Sequence, residues 1–222
     1  MRIIAEIEQL LASSDTRVII GFAGPPAAGK STLARALVTL FGDQAGYVPL
    51  DGFHLSNSVL SSLGLSGRKG APETFDVLGY RVLLARLAAE FTKNDVYCPE
   101  YDRGLHEPIA ARSVVSATTR LIITEGNYLG LPTGEWRDIS PRLTRWYYVD
   151  APETSRAERL IARHIAGGRT PAAAREWYSA VDRPNAELIA TSKSRAYRTV
   201  DEDEVAGVLS LAQPLPGAER PD

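Results

Sequence analysis

The feature that most constrains the fold is the octapeptide at residues 24–31, Gly-Pro-Pro-Ala-Ala-Gly-Lys-Ser. It follows an apolar, β-branched run at residues 17–23 and precedes a helical pattern at residues 31–41. Glycines at this spacing, between a strand and a helix, let the backbone curl so that its N–H groups point at phosphate oxygens. The helix N-terminus adds the positive end of its dipole. The octapeptide therefore predicts a loop that binds the phosphates of a nucleotide.

The same loop predicts which residues hold the nucleotide and its metal ion. Lys30 is expected to bridge the β- and γ-phosphates as a catalytic residue, and Ser31 to ligate magnesium. ATP and Mg²⁺ are thus the expected cofactors. The expected cofactor-binding residues are Gly24, Pro25, Pro26, Ala27, Ala28, Gly29, Lys30, Ser31 and Thr32.

Strand-like and helix-like segments alternate along the chain. Apolar runs predict strands at residues 17–23, 47–50, 120–124, 144–149 and, more weakly, 197–200. After an amphipathic start at residues 1–11, helical patterns lie at 31–41, 77–92, 153–166 and 172–190. Apolar runs without polar alternation are typical of parallel strands buried on both faces. The pattern predicts an α/β fold of the P-loop NTPase type, with a mainly parallel sheet flanked by helices on both faces.

Length and composition limit the classes of protein to which the chain can belong. Its 222 residues favour a single domain over residues 1–212, followed by a Pro-, Gly- and charge-rich tail at 213–222 that we expect to be disordered. The net charge of −2 speaks against a nucleic-acid partner, and no apolar run reaches the roughly 18 residues of a membrane span. Cys98 is the single cysteine, so we expect no disulfides and a cytoplasmic location.

Two carboxylates directly follow predicted strands. Asp51 comes after the run at 47–50, and Glu125 after the run at 120–124. In an open parallel sheet the ligand crevice lies beyond the carboxyl ends of the strands. Phosphoryl transfer to an alcohol needs one group to orient and deprotonate the hydroxyl and another to hold the metal ion's water shell. The two carboxylates can divide these tasks, or each can simply cap a neighbouring loop.

Several segments resemble the superfamily of phosphoribulokinase, uridine kinase and bacterial pantothenate kinase. Besides the loop, these are Asp-Gly-Phe-His at residues 51–54, Gly-Leu at 64–65 and Gly-Arg-Lys-Gly-Ala-Pro-Glu-Thr-Phe-Asp at 67–76. The string from 51 to 76 is most similar to pantothenate kinases, whereas Tyr-Asp-Arg-Gly-Leu-His at 101–106 is similar to a segment of uridine kinases. The resemblance covers roughly residues 17–200. It implies that Asp51 is the catalytic base and that Glu125 is an active-site acid beside the metal ion.

The resemblance also implies a mobile lid that carries arginines to the phosphates. In residues 153–175, Arg156, Arg159 and Arg163 share one helical stripe. The glycines at 167–168 then supply a break before Arg169. Arg163 and Arg169 are the arginines expected to act in catalysis. The alternative is a solvated basic face paired with neighbouring glutamates.

The acceptor is predicted from departures from these kinases. Gly70 stands where uridine kinases carry the aspartate that holds the ribose hydroxyls, and Arg103 replaces an aromatic residue beside the base. A branch of fructose-transport sugar kinases and nucleoside/nucleotide kinase-like proteins is similar in both segments. We therefore expect a small polyhydroxylated acceptor, sugar-like rather than a nucleoside or pantothenate. Its expected contacts are Asp51, Tyr101, Arg103, His106 and Tyr128.

Two classes outside metabolism remain as alternatives. A nucleotide-switched regulator of the GTPase type reads guanine with an Asn-Lys-x-Asp segment, and the sequence contains none. A nucleic-acid-handling ATPase is disfavoured by the near-neutral charge. The oligomeric state is left open, and a homodimer is compatible with the sequence.

Overall fold

The computed structural model describes residues 1–212, and the predicted tail at 213–222 lies outside them. The α-helices are α1 Arg2–Ala12, α2 Lys30–Phe41, α3 Asn57–Ser62, α4 Val77–Ala89, α5 Glu153–Ala166, α6 Pro171–Trp177, α7 Arg183–Ala190 and α8 Glu202–Ala212. The strands are β1 Val18–Ala23, β2 Ala45–Tyr47, β3 Val96–Asp102, β4 Glu107–Val115, β5 Leu121–Glu125, β6 Arg145–Val149 and β7 Thr199–Val200. None of the helices among these residues is long and apolar enough to cross a bilayer.

A five-stranded parallel sheet forms the centre of the fold, in the order β2-β5-β1-β6-β7. Every residue of β1 and β5 is buried, which explains their unbroken apolar character. Ile19 belongs to a core formed with α4, and its neighbour Ile20 to a second core formed with α1, α2 and α8. Successive side chains of a strand point to opposite faces, so the two cores cover the two faces of the sheet. The predicted α/β fold is confirmed.

The second strand differs from its prediction at residues 47–50. β2 ends at Tyr47, although the Val48 N–H still donates to the Ile123 carbonyl at 2.9 Å. Pro49 has no N–H and cannot continue the ladder, and the chain then turns through a 3₁₀ segment, Leu50–Phe53. This early end places Asp51 on a turn beyond the sheet rather than directly on a strand end.

The prediction lacked the short helix α3 and two further elements that lie nearer the functional site. The antiparallel hairpin β3–β4 lies outside the main sheet, and its signal was the alternation of buried Val96, exposed Tyr97 and buried Cys98. Helix α8 was the second, and its signal was the acidic first turn, Glu202, Asp203 and Glu204. Both elements reach the functional site.

The pattern at residues 172–190 is one continuous helical segment with a change of geometry in its middle. Thr170 caps it, its hydroxyl accepting the Ala173 N–H at 3.2 Å, and Pro171 occupies the first turn. A π-helical turn, Tyr178–Asp182, precedes Pro184. Because proline cannot donate the next helical hydrogen bond, the widened turn lies where the ladder is interrupted.

Candidate active site

The loop between β1 and α2 has backbone geometry that requires its glycines. Gly24 has a φ of +146°, and a Cβ there would lie 2.1 Å from the Val149 carbonyl oxygen of β6. Gly29 has a φ of +95°, and Ala27 also has a left-handed φ of +61°. The chain therefore curls tightly from the end of β1 into the first turn of α2. Such a curl followed by a helix N-terminus fits an anionic phosphate chain.

A cavity of about 860 Å³ opens beyond the ends of β1 and β5. Its volume falls in the range of small-molecule sites. Residues 26–32 of the predicted nucleotide-binding segment line the cavity, whereas Gly24 and Pro25 do not. The other lining residues are Asp51, Arg103, Glu125, Gly126, Asn127, Arg159, Arg163, Glu202, Asp203, Val205, Ala206 and Leu209.

Lys30 lies at the bottom of this cavity with 6% of its surface exposed. Its ammonium group donates to the Pro25 carbonyl of the same loop at 2.9 Å. Burial lowers the pKa of Lys30 to about 8, although the carboxylates of Glu125 and Asp51 favour its charged form. A buried ammonium that donates to a carbonyl of the phosphate loop is suited to receive phosphate oxygens.

Glu125 ends β5 and is 4% exposed. The Tyr47 hydroxyl donates to its Oε1 at 2.7 Å. Burial, followed by repulsion from Asp51, raises the pKa of Glu125, while Lys30 and the hydroxyl of Ser31 favour the carboxylate. Burial and the same carboxylate raise the pKa of Tyr47, so its hydroxyl keeps the proton that it donates.

The side-chain oxygens of Ser31 and Glu125 fit a magnesium ion. Mg²⁺ prefers hard oxygen ligands and is usually bound by one or two protein groups together with substrate phosphates. Within residues 1–212, no three His, Cys, Asp or Glu side chains gather into a separate metal site. A metal ion beside the phosphate loop would thus depend on these two residues and on the nucleotide itself.

Asp51 faces the cavity from the turn after β2, with 39% of its side chain exposed. Its nearest charged neighbour is Arg103, whose Nη2 lies 3.7 Å from Oδ2. The Nε2 of His54 lies 3.9 Å from Oδ1, but burial, reinforced by Lys69 and Arg103, lowers the pKa of His54 to about 3. His54 is therefore neutral at pH 7, and the carboxylate keeps oxygens accessible to a hydroxyl.

The hairpin β3–β4 carries the remaining predicted acceptor contacts to different places. Arg103 lines the cavity, with 69% of its side chain exposed. Tyr101 does not line the cavity; its ring packs against His54, with ring centroids 5.1 Å apart. His106 occupies the hairpin turn with a φ of +55°, and its carbonyl, not its ring, accepts from Lys69 at 2.7 Å. The exposed ring of His106 does not line the cavity.

Tyr128 lies in the core instead of the cavity. Its surface is fully buried, and its ring packs against Phe75 and Trp136. Its hydroxyl donates to the Gly70 carbonyl at 2.6 Å. The expectation that Tyr128 contacts the acceptor is corrected accordingly: it anchors the backbone at Gly70.

The arginines of the predicted lid have three different environments. Arg163 of α5 lines the cavity. Arg159 donates to the Ala27 carbonyl of the phosphate loop at 3.2 Å and to Glu202 of α8 at 2.7 Å. Arg169 stacks on the Trp177 ring, 3.9 Å from its centroid, and does not line the cavity. In this arrangement, Arg163 is the predicted catalytic arginine that the structure places at the site.

The different environments of Arg163 and Arg169 predict different effects of their replacement on turnover. We expect Arg163→Ala to lower kcat by roughly 10² while ATP affinity changes only severalfold, because a preorganised cation matters most as charge moves in the transition state. We expect Arg169→Ala to lower kcat as well, but less, because its guanidinium must first leave Trp177. Steady-state kinetics and ATP titrations on both variants decide this, with Arg175→Ala on the exposed side of α6 as the control. Equal, small effects on kcat and affinity in all three would favour a solvated basic face.

Several residues at the cavity were not predicted. Asn127 lies two residues after Glu125, just past the end of β5, and this position could have predicted that it lines the cavity. The wall formed by α8 comes from the far end of the chain, and its apolar members are Val205, Ala206 and Leu209. A Cβ on Gly29 would lie 3.6 Å from Val205, so this wall directly adjoins the phosphate loop. No local motif marks such a long-range contact.

Comparison with known proteins identifies relatives of this chain, although no family model matches it. A protein of Escherichia coli strain K12, uncharacterized protein YggC, is 34% identical over 193 residues, which cover 85% of this chain and 79% of that protein. A protein of Schizosaccharomyces pombe named "putative uridine kinase" is 32% identical, and the match covers 71% of each. Among solved structures, a "putative fructose transport system kinase" from Silicibacter sp. TM1040 has a TM-score of 0.80 and 34% identity, covering 87% of this chain and 94% of that one.

Proposed function

The chain belongs to the superfamily of P-loop kinases that contains uridine kinase, bacterial pantothenate kinase and phosphoribulokinase, and on this basis we propose that its acceptor is a small polyhydroxylated, sugar-like compound. It is a phosphotransferase that uses ATP and has an alcohol group as acceptor. The observation that carries the proposal is the position of Asp51, an accessible carboxylate that lines the same cavity as Lys30 and lies beside Arg103.

In the proposed mechanism, the N–H groups of the phosphate loop and Lys30 bind the triphosphate. Mg²⁺, held through Ser31 and Glu125, would neutralise charge on the phosphate oxygens. Asp51 orients the acceptor hydroxyl and takes its proton as the oxygen bonds to the γ-phosphorus, while the bond to the ADP oxygen breaks. Arg163 stabilises the charge on the transferring group, and closure of residues 153–175 keeps water from competing with the acceptor.

Two departures from the uridine kinase pattern, at Gly70 and Arg103, support a hydroxyl-rich acceptor. Gly70 has a φ of +102° and carries no carboxylate, and a Cβ there would have no neighbour within 4 Å. Arg103 can donate several hydrogen bonds to acceptor oxygens but offers no aromatic surface for a base. The name of the Silicibacter structure, a kinase of fructose transport, supports the same reading.

A nucleoside acceptor is the second candidate, since the S. pombe relative bears a uridine kinase name and Tyr101 supplies an aromatic ring near Asp51. The ring of Tyr101 is engaged on one side by Lys69, whose Nζ lies 5.2 Å from its centroid. This contact leaves less ring surface for stacking with a base. We therefore favour the sugar-like acceptor.

The proposal is tested by comparing acceptors under one set of conditions. We expect kcat/KM for a fructose-like sugar to exceed the values for uridine, cytidine and pantothenate, because Arg103 can hydrogen-bond the closely spaced hydroxyls of a sugar and offers no aromatic surface to a base. Phosphorylated products are followed by mass spectrometry, with Asp51→Asn in parallel to exclude a contaminating kinase. A nucleoside or pantothenate that leads by tenfold or more would contradict the sugar-like assignment and leave the kinase activity standing.

A further inference from the structure

Tyr47 and Glu125 are brought together by the register of the sheet. Tyr47 is the last residue of β2 and lies opposite Ile123 of β5. Glu125 lies two residues further along β5, on the same face of the sheet as Ile123. The phenol hydroxyl reaches Glu125 Oε1 at 2.7 Å.

The phenol ring is itself held in place by α2. The guanidinium of Arg35 lies over the Tyr47 ring, 4.7 Å from its centroid, and α2 is also the helix that carries Ser31. Helix α2 therefore carries the expected metal ligand Ser31 and also contacts Tyr47, the residue that hydrogen-bonds the other expected ligand, Glu125. Arg35, Tyr47 and Glu125 all lie outside the phosphate-loop motif at residues 24–31.

We propose that Tyr47 is a positioning residue for magnesium: its hydroxyl holds Glu125 Oε1, so that the carboxylate presents its other oxygen to the metal ion or its water shell. The inference rests on the proposed magnesium site at Ser31 and Glu125. A carboxylate that ends a strand can rotate, and a fixed donor on one oxygen removes that freedom. Hydrogen-bond partners of metal-binding groups typically contribute 10- to 100-fold to metal affinity or activity.

The test measures how strongly Mg²⁺ and nucleotide binding depend on each other. The affinity of the whole protein for AMP-PNP, a non-hydrolysable ATP analogue, is determined by calorimetry in excess Mg²⁺ and again in EDTA. The ratio of the two dissociation constants is the coupling between metal and nucleotide. For Tyr47→Phe we expect this ratio to fall by about tenfold, with the affinity in EDTA unchanged.

Tyr80→Phe is the matched control. Tyr80 is also a buried tyrosine, but its hydroxyl pairs with Thr124 at 2.5 Å, on the residue before Glu125. We expect this variant to lose stability, seen in its melting temperature, and to keep the wild-type coupling ratio. A Tyr47→Phe protein that loses affinity equally with and without Mg²⁺, or keeps the full coupling, would overturn the inference. Absence of coupling in the wild type would overturn the magnesium site along with it.

Arg35→Leu provides a second route if Tyr47→Phe does not fold. Arg35 is exposed, so its replacement leaves the core intact while removing the cation from the Tyr47 ring. Cation–π contacts at such sites contribute about 0.5–1 kcal/mol, so we expect the coupling ratio to fall by roughly two- to fivefold. An unchanged ratio in this variant would also overturn the role of Tyr47.

Discussion

Replacement of Asp51 by Asn is expected to lower kcat by about 10² or more and to leave the affinity for ATP nearly unchanged. The amide keeps the size of the side chain but cannot take the proton of the acceptor hydroxyl. Asp51 has 39% of its side chain exposed and no short ion pair, since Arg103 is 3.7 Å away, so the substitution should not leave a buried charge unpaired. The loss should therefore appear in the chemical step alone.

The measurement combines single-turnover kinetics with ATP titration. Asp138→Asn is the matched control, because Asp138 is similarly exposed, pairs with Arg81 and is outside the cavity. This control should retain wild-type turnover. Near-normal turnover in Asp51→Asn would show that another group is the base.

Replacement of Lys30 by Ala is expected to weaken ATP binding by about 10² or more, with a matching loss of turnover at fixed ATP, because a desolvated charge partner of the phosphates is removed. The fold should tolerate the change. Lys30 is buried and its pKa is lowered to about 8, so burial of its ammonium group costs folding free energy instead of adding to it. A melting temperature equal to or above that of the wild type, together with lost binding, would separate function from stability. Retained ATP affinity would contradict the role of the phosphate loop.

The lowered pKa of Lys30 also gives ATP binding a pH dependence. Phosphates favour the ammonium form, so at a pH above about 8 the protein must take up a proton to bind ATP. We expect ATP affinity to fall as pH rises through 8 in the wild type and to change less in Lys30→Ala. Calorimetry at pH 8 in buffers of different ionisation enthalpy should detect the proton uptake, and its absence would contradict the assignment.

Residues whose roles depend on neighbours in the chain were readable from the sequence. The octapeptide at 24–31 is contiguous, and its glycines are required by local backbone angles, so its conformation follows from local chemistry. The strands β1 and β5 had to be unbroken apolar runs because the sheet is covered on both faces. Once those strands were placed, the rule that crevices lie beyond strand ends identified Asp51 and Glu125 as residues at the site.

The positions and contact partners of the long side chains could be seen only in the tertiary structure. Tyr128 and Tyr101 are both aromatic residues in polar contexts, yet Tyr128 is buried in the core and Tyr101 packs against His54. Arg163 reaches the cavity, whereas Arg169 stacks on Trp177, because the break after α5 and the course of α6 set their directions. Contacts between distant segments, such as α8 with the phosphate loop or Tyr47 with Glu125, depend on packing of the whole domain. Local sequence does not encode which partner a flexible side chain meets, so these parts of the site became visible only in the folded chain.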